Sequence, residues 1–570
     1  MSAATPLRLT MSWLKDRYAQ GDLSPETIAE EIVRRSTADA EKNIWIAPPS
    51  MDRIRPYLER LRSMDPKDAP LWGIPFAVKD NIDVAGLPTT AACSAYAYEP
   101  EGHATVVERL VAAGAFPVGK TNLDQFATGL VGTRSPYGET HNALRPELIS
   151  GGSSSGSAVA VARGQAAFAL GTDTAGSGRV PAALNGLYGW KPSVGAWPTK
   201  GVVPACASLD CVTAFAHELE DMLLVDAAVR GVDADDAWSK SVPRSPVELP
   251  SRLLVPEGPL TFYGPYAAEY EAAWEAAVAK LETLGVPMER VDVELFKQAA
   301  SILYGGPWVA ERWAGLGSFL EANPGAAFPV TEAILRSGAS GAYDAASVFT
   351  ATHRLQAMKL EAKKLLAGGV LAMPTCGGTW TREQVRNDPI ATNSLMGLYT
   401  NHCNLLDLCA VAVPSGAAAP ALPFGITLFA CAGGEGLLES VVRRWAQPAP
   451  TTLVAVCGLH MRGLPLEKQM REHRARFVRE DRTAAKYRMY KLPTTPAKPG
   501  LVKTPQGGAS LRLEVWEMPL ETFGAFVAGI PAPLGIGKVE LQDGTEVAGF
   551  VCESFAAQGA DDITAQGGWR

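Results

Sequence analysis

The segment that most constrains the fold is a run of glycine and serine that passes directly into apolar sequence. Gly151-Gly-Ser-Ser-Ser-Gly156 is followed by Ala158-Val-Ala-Val-Ala-Arg-Gly-Gln-Ala-Ala-Phe-Ala-Leu170. Glycine- and serine-rich runs are commonly flexible linkers, but a linker leads into a polar boundary. The small apolar residues here instead predict a buried helix and then a strand. No Gly-Lys-Ser/Thr sequence follows, which argues against a phosphate-binding loop. The run therefore belongs to a folded core.

Two further segments add chemistry to this run. Ser177 lies in Gly171-Thr-Asp-Thr-Ala-Gly-Ser-Gly-Arg179, and Lys79 directly follows the apolar, strand-like run Ile74-Pro-Phe-Ala-Val78. A serine hydroxyl becomes a good nucleophile only when a base removes its proton. A lysine can be that base only when neutral, which requires burial to lower its pKa. With Ser153, these residues predict a Ser-Ser-Lys site for acyl transfer, with Lys79 at the end of a buried strand.

The order of elements predicts an α/β fold with a mixed sheet covered by helices. Strand and helix candidates alternate from about residue 70 to 215, and a helical region covers about 265–365. The proline-rich Gln447-Pro-Ala-Pro450 indicates a linker. We expect a first domain over 1–446, a linker over 447–452 and a smaller α+β domain over 453–570.

Composition limits the classes of function. The net charge is −8, which argues against a nucleic-acid partner. The nine cysteines include no Cys-x-x-Cys pair and predict neither a disulfide framework nor a metal site. Scattered thiols favour a reducing, cytoplasmic location. The N-terminus shows no signal peptide, and no apolar run is long enough to span a membrane.

These segments occur with other motifs in the order typical of one enzyme family. The motifs are Gly119-Lys-Thr-Asn-Leu-Asp-Gln-Phe126, Ser135-Pro-Tyr-Gly138, Asn185-Gly-Leu-Tyr-Gly-Trp-Lys-Pro192, Met373-Pro-Thr375, Asn404-Leu-Leu-Asp-Leu-Cys-Ala410 and Val413-Pro-Ser-Gly416. With the Lys79, Ser153 and Ser177 segments, they resemble the amidase signature family over about residues 5–445. The resemblance implies that Ser177 attacks an amide carbonyl, that Ser153 follows a cis peptide bond and relays the proton, and that Lys79 receives it. It implies no cofactor.

The same resemblance assigns the oxyanion hole to Thr174, Ala175 and Gly176. Many members of the family have a second glycine where this chain has Ala175. Alanine keeps its backbone N–H, so the hole remains intact unless that position needs a positive φ. Asp173 and Arg179 flank the loop, and the sequence leaves open whether they form a structural ion pair or act directly in catalysis.

The C-terminal part narrows the resemblance to the allophanate hydrolases. Val456-Cys-Gly-Leu-His-Met-Arg-Gly-Leu-Pro-Leu466 is similar to the motif that opens their second domain, which resembles the γ-glutamyl cyclotransferase fold. The resemblance implies allophanate as substrate, with Tyr304 and Arg312 holding it and Gly129 lining the pocket. It also implies a homodimer and a functional link with urea carboxylase. Pro307 lies between Tyr304 and Arg312 and is expected to break a helix there.

Two questions stay open at this level. His460 either manages a proton on a carboxylated intermediate, with Arg462 beside it, or merely caps a turn. The tail shows no acidic residue of the cyclotransferase kind, so that activity is not expected. The alternatives to allophanate cleavage are an amidotransferase-type subunit or a broad-specificity amidase. The intact Lys79, Ser153 and Ser177 argue against a non-catalytic scaffold.

Overall fold

The computed structural model describes residues 5–447 and 450–570. The chain divides into two compact units, Met1–Ala446 and Gln447–Arg570. Part of the expected linker, Pro448 and Ala449, lies outside the described residues. The first strand of the second unit begins at Thr451, inside the range expected for the linker.

The first unit alternates helices and strands. Its helices are α1 Met11–Gln20, α2 Pro25–Ala38, α3 Met51–Leu61, α4 Thr105–Ala112, α5 Ser155–Ala162, α6 Val180–Leu184, α7 Leu219–Val229, α8 Ala267–Glu282, α9 Glu294–Gly305, α10 Trp308–Ala322, α11 Pro329–Ser337, α12 Ala345–Leu365, α13 Arg382–Asn387, α14 Ala391–Met396, α15 His402–Leu405 and α16 Glu435–Ala446. Its strands are β1 Trp45–Ala47, β2 Pro75–Lys79, β3 Phe116–Thr121, β4 Phe168–Asp173, β5 Tyr188–Lys191, β6 Cys211–Ala216, β7 Arg252–Pro256, β8 Met288–Val291, β9 Gly369–Pro374, β10 Leu408–Ala419 and β11 Leu422–Cys431.

The strands of this unit form one sheet in the order β1-β3-β2-β4-β6-β5-β10-β11-β9-β7-β8. The pairs β2/β3, β2/β4, β7/β8 and β7/β9 are parallel, whereas β4/β6, β5/β6 and β10/β11 are antiparallel. The predicted α/β fold with a mixed sheet is confirmed. Buried side chains hold neighbouring strands together, as where the rings of Phe76 and Phe168 stack 5.1 Å apart.

Three adjacent parallel strands, β3, β2 and β4, end at the same edge of the sheet. Lys79 pairs with Thr121, and Val78 pairs with Leu170, so the carboxyl ends of the three strands are level. In open α/β sheets this edge is where ligands bind, because the loops that follow the strands converge there. The loops after β3 and β4 carry Asp124 and Ser177.

Local sequence signals set several helix boundaries. Ser24 caps α2 and forms a capping box with Thr27, as its position before Pro25 predicts. The break expected at Pro307 is confirmed, because α9 ends at Gly305 and Pro307 precedes α10. The expectation of continuous helix over 265–365 was wrong at β8, a short strand whose formation depends on pairing with β7.

The second unit is an α+β domain. Its strands are β12 Thr451–Val456, β13 Arg476–Arg482, β14 Tyr487–Leu492, β15 Lys498–Lys503, β16 Arg512–Pro519, β17 Leu534–Glu540, β18 Glu546–Cys552 and β19 Asp561–Asp562, and its helices are α17 Glu467–Glu472 and α18 Leu520–Ala528. The sheet orders are β13-β16-β12-β18-β17 and β15-β14-β19.

All nine cysteines are free thiols, and all but Cys431 are buried. Within residues 5–447 and 450–570, no helix is both long enough and apolar enough to cross a membrane.

Candidate active site

Lys79 occupies the end of a fully buried strand, as the sequence predicts. Its Nζ lies 2.7 Å from Ser153 Oγ and 2.7 Å from Thr172 Oγ1, and the residue has no exposed surface. Burial lowers the pKa of Lys79 to about 7, against the opposing charges of Asp124, Asp210 and Asp173. A lysine with such a pKa is neutral in a large fraction of molecules near neutral pH and can accept a proton.

Ser153 is held over the sheet by the helix that follows it. The helix α5 consists of small residues and packs closely on β3 and β4, where Ser157 Oγ donates to the Leu170 carbonyl and lies 2.8 Å from Thr121 Oγ1. The Gly152–Ser153 peptide bond is cis, as the resemblance implies. The serine-rich run is thus part of the core and not a linker.

Asp124 organises the loops around Ser153. Its carboxylate accepts hydrogen bonds from the backbone N–H groups of Val131, Gly132 and Arg134 at 3.2, 3.0 and 2.9 Å, and its own N–H donates to the Ser153 carbonyl at 3.0 Å. A Cβ on the residue before Ser153 would collide with the Asp124 carboxylate, which explains the glycine there. Asp124 therefore fixes the approach of the serine loop to Lys79.

Ser177 lies in the loop after β4 and is 3% exposed. Within the described chain its hydroxyl does not hydrogen bond to Ser153 or to another residue. The structure thus brings Lys79 and Ser153 into contact and places Ser177 five residues beyond Thr172, which Lys79 also contacts. Catalytic hydrogen bonds are often completed only when substrate is present.

The loop before Ser177 presents backbone donors. In the described chain, the N–H groups of Ala175 and Gly176 donate to no protein acceptor, although both residues are buried. Gly176 has φ +147, and a Cβ there would overlap the Thr400 hydroxyl, so the position requires glycine. Ala175 does not take a positive φ, so alanine is accommodated without strain.

Asp173 and Arg179 form a buried ion pair that closes this loop. Two guanidinium nitrogens of Arg179 lie 2.9 and 3.0 Å from the carboxylate, which also accepts the Gly178 N–H at 3.0 Å. Burial raises the pKa of Asp173, but the Arg179 charge outweighs it and holds that pKa below its usual value. Since neither side chain hydrogen bonds to Lys79 or Ser153 in the described chain, the pair acts as a structural clamp.

Arg312 is the buried cation expected near the nucleophile. It is 1% exposed, its Nη1 donates to Thr128 Oγ1 at 2.9 Å, and its Nη2 lies 3.5 Å from the Tyr304 hydroxyl. Because Tyr304 ends α9 and Arg312 lies in α10, the two meet across a helix break. Among the residues that the structure describes, Arg312 Nε has no hydrogen-bond partner. The Nε–Nη2 edge of the guanidinium is therefore open to a planar anion. Gly129 follows Thr128 directly.

Asp210 links Arg312 to the oxyanion loop. It accepts a hydrogen bond from Thr174 Oγ1 at 2.5 Å and is buried. Burial raises the pKa of Asp210 to about 6, although hydrogen bonds and the charge of Arg312 oppose the shift. The groups of the two predicted subsites, Thr174 and Arg312, thus share one carboxylate as neighbour.

In the second unit, His460 lines a cavity of about 380 Å³ with Gln469, Lys498 and Phe550. His460 Nε2 lies 2.8 Å from Gln469 Oε1, and the imidazole stacks on Phe550 with centroids 4.8 Å apart. Burial lowers the pKa of His460, and the charge of Lys498 lowers it further.

The expected pairing of His460 with Arg462 was wrong. The Arg462 guanidinium donates to Glu514 at 3.2 Å and to Glu480 at 2.7 Å. Glu514 is fully buried and holds the arginine there. The cation that lines the cavity with His460 is Lys498, which lies far along the chain on β15.

Both parts of the chain match families of known proteins. The amidase family model matches residues 27–438. The chain belongs to the amidase family. The model of the allophanate hydrolase C-terminal domain matches residues 452–570. The resemblance inferred from the motifs is confirmed for both parts of the chain.

Solved structures and curated relatives of this amidase agree. Allophanate hydrolase from Kluyveromyces lactis superposes with a TM-score of 0.71 at 38% identity, covering 98% of each chain. Urea amidolyase from Saccharomyces cerevisiae is 38% identical over 100% of this chain and 34% of its own length. The chain thus spans about a third of the urea amidolyases it matches. One component of the glutamyl-tRNA(Gln) amidotransferase from Symbiobacterium thermophilum is 38% identical over 52% of this chain and 63% of its own.

Four residues of this amidase site were not found from sequence: Asp124, Thr128, Thr172 and Asp210. Asp124 and Thr172 lie inside motifs already recognised, so their positions were a usable signal. Thr128 and Asp210 carried no signal of their own, because only the fold brings them to Arg312 and Thr174.

Proposed function

We propose that this chain hydrolyses allophanate (urea-1-carboxylate), with residues 1–446 forming the amidase domain and 453–570 the C-terminal domain. The observation that carries the proposal is Arg312, a buried cation with an open guanidinium edge beside the oxyanion loop. Allophanate combines a primary amide with a carboxylate. A bidentate Arg–carboxylate contact would hold one end while Ser177 meets the other.

The reaction follows from the geometry around Lys79. Ser177 Oγ attacks the amide carbonyl, and its proton passes through Ser153 to neutral Lys79, 2.7 Å away. The backbone N–H groups of the loop over Thr174, Ala175 and Gly176 stabilise the oxyanion. The C–N bond then breaks, and the protonated Lys79 returns its proton through Ser153 to the leaving ammonia. Water resolves the acyl-enzyme by the same proton path and leaves an N-carboxylated carbamate.

For the C-terminal domain we propose that His460 promotes loss of carbon dioxide from this carbamate. Lys498 supplies the positive charge in its cavity, in place of Arg462. The alternative is a purely structural His460 that packs on Phe550. In the first case, His460→Ala should leave release of the first ammonia unchanged and cause the carboxylated carbamate to accumulate, which NMR with labelled allophanate would detect.

The wider setting also belongs to this proposal. We propose that allophanate comes from a urea carboxylase, because the similar yeast protein is a urea amidolyase that extends well beyond the region matching this chain. We further propose a homodimer, following the family resemblance. A cytoplasmic location is proposed because buried free thiols are typical of reducing compartments.

Ammonia release from purified protein tests the main proposal. Allophanate should be cleaved far faster than biuret, its neutral counterpart with a carboxamide in place of the carboxylate, and faster than simple aliphatic amides. The matched control is Ser177→Ala, which should be folded and inactive. Similar rates on all amides would favour a broad-specificity amidase. The similarity to the amidotransferases covers the catalytic core only, so glutamine is included as a substrate to test that alternative.

A further inference from the structure

A short segment, residues 205–210, lies between the oxyanion loop and α10. Its own backbone is closed into a turn, because the N–H groups of Leu209 and Asp210 each donate to the Cys206 carbonyl at 2.9 Å. The Asp210 carboxylate closes it again by accepting the N–H groups of Ala205 at 2.7 Å and Cys206 at 3.2 Å. The turn is therefore rigid at both ends.

One end of the turn holds the oxyanion loop. Asp210 Oδ1 accepts the hydroxyl of Thr174, two residues before Gly176, at 2.5 Å. Asn404 ties the neighbouring backbone to the same place, because its Nδ2 donates to the Asp173 carbonyl at 2.7 Å and to the Leu209 carbonyl at 2.8 Å. The position of the oxyanion donors thus depends on where this turn lies.

The other end of the turn holds the helix that carries Arg312. The Ser208 N–H donates to Glu311 Oε1 at 2.8 Å, and the Ser208 hydroxyl donates to Glu311 Oε2 at 2.7 Å. Glu311 belongs to the first turn of α10 and precedes Arg312. Two hydrogen bonds to one carboxylate fix both the position and the rotation of this helix end.

We propose that residues 205–210 couple the two subsites, with Ser208 and Glu311 acting as positioning residues that set Arg312 at a fixed distance from the oxyanion loop. The inference rests on the proposed function, because the coupling is useful only for a substrate that carries an amide and a carboxylate at a fixed spacing. Small displacements of a positioning group weaken catalysis strongly, since reacting atoms must lie in a narrow geometry.

The test uses Ser208→Ala and Glu311→Gln in the full-length protein, with kcat and KM measured on allophanate and biuret. Each variant should raise KM for allophanate about tenfold, the effect of losing a hydrogen bond to a charged group, and leave kcat/KM for biuret unchanged. Ser208→Thr, which keeps the hydroxyl, should restore the parent KM. In an Arg312→Gln background, Ser208→Ala should have no further effect on allophanate.

The possible outcomes separate the two proposals. If the unaltered protein does not cleave allophanate, the proposed function fails. If it does, and both variants retain its KM, the coupling alone is overturned. Equal losses on allophanate and biuret in both variants would make the contact a general stabiliser of the fold and overturn the coupling as well. Thermal unfolding of each variant identifies that case directly, because melting would then fall together with both activities.

Discussion

Replacing Arg312 with glutamine tests the basis of substrate selection. Arg312 sits in a closed environment, 1% exposed, with Nη1 committed to Thr128 at 2.9 Å. Its Nε has no partner in the described part of the chain, and Nη2 makes only a long contact of 3.5 Å with Tyr304. The edge formed by Nε and Nη2 is thus the part of the side chain that glutamine cannot reproduce.

The size of the effect follows from this edge. A charge-assisted hydrogen bond contributes about 1.5–3 kcal/mol, and a bidentate pair falls toward the upper part of that range. A loss of about 2.7 kcal/mol corresponds to about a hundredfold in rate, since each 1.4 kcal/mol is about tenfold. Arg312→Gln should therefore lower kcat/KM for allophanate about a hundredfold.

The assay compares kcat/KM for allophanate with that for biuret, with ammonia release as the readout. Biuret lacks the carboxylate, so its kcat/KM should fall by a few-fold at most in Arg312→Gln. Arg312→Lys is the matched control, because it keeps the charge and loses the planar edge. It should give an intermediate loss on allophanate.

Equal losses on the two substrates would refute the reasoning and make Arg312 a structural residue. A full parent rate in Arg312→Lys would also refute it, because a point charge without the bidentate edge would then be sufficient. Circular dichroism and melting temperature establish that each variant is folded before the rates are compared.

The remaining predictions concern the catalytic groups. Because burial lowers the pKa of Lys79 to about 7 and the neutral amine is the base, kcat/KM should fall about tenfold per pH unit below that value; a flat profile to about pH 5 would exclude it as the base. Ser177→Ala should abolish hydrolysis of every amide without loss of folding, and mass spectrometry should find no acyl-enzyme. Gly176→Ala should lower kcat on all substrates, because its Cβ would overlap the Thr400 hydroxyl; a parent-like kcat would show that the loop adjusts freely.

Much of the fold could be predicted because hydrophobic pattern and local punctuation agree along the chain. The run before Lys79 is a strand, and Ser24 begins a helix, since each depends on neighbours in sequence. The short strand β8 was missed because its four residues are half-buried or exposed and carry no alternation. Only pairing with β7 makes that segment a strand, and pairing is a tertiary event.

The candidate site divides in the same way. Lys79, Ser153 and Ser177 are visible in sequence because each lies in a distinctive run of glycine or apolar residues. Asp210 and Ser208 are not visible, because an aspartate or serine in a loop looks the same wherever it is exposed or buried. Their contacts with Thr174 and Glu311 span 36 and 103 residues along the chain.

The sequence by itself determined the fold class, the family and which side chains carry the chemistry, because these depend on residue type and local order. Tertiary structure alone decided how those side chains are tuned and joined. It buries Lys79 and so lowers its pKa, opens one edge of Arg312, and brings Lys498 and not Arg462 to the cavity of His460. Burial and long-range hydrogen bonds arise only when distant segments pack, so no local pattern can encode them.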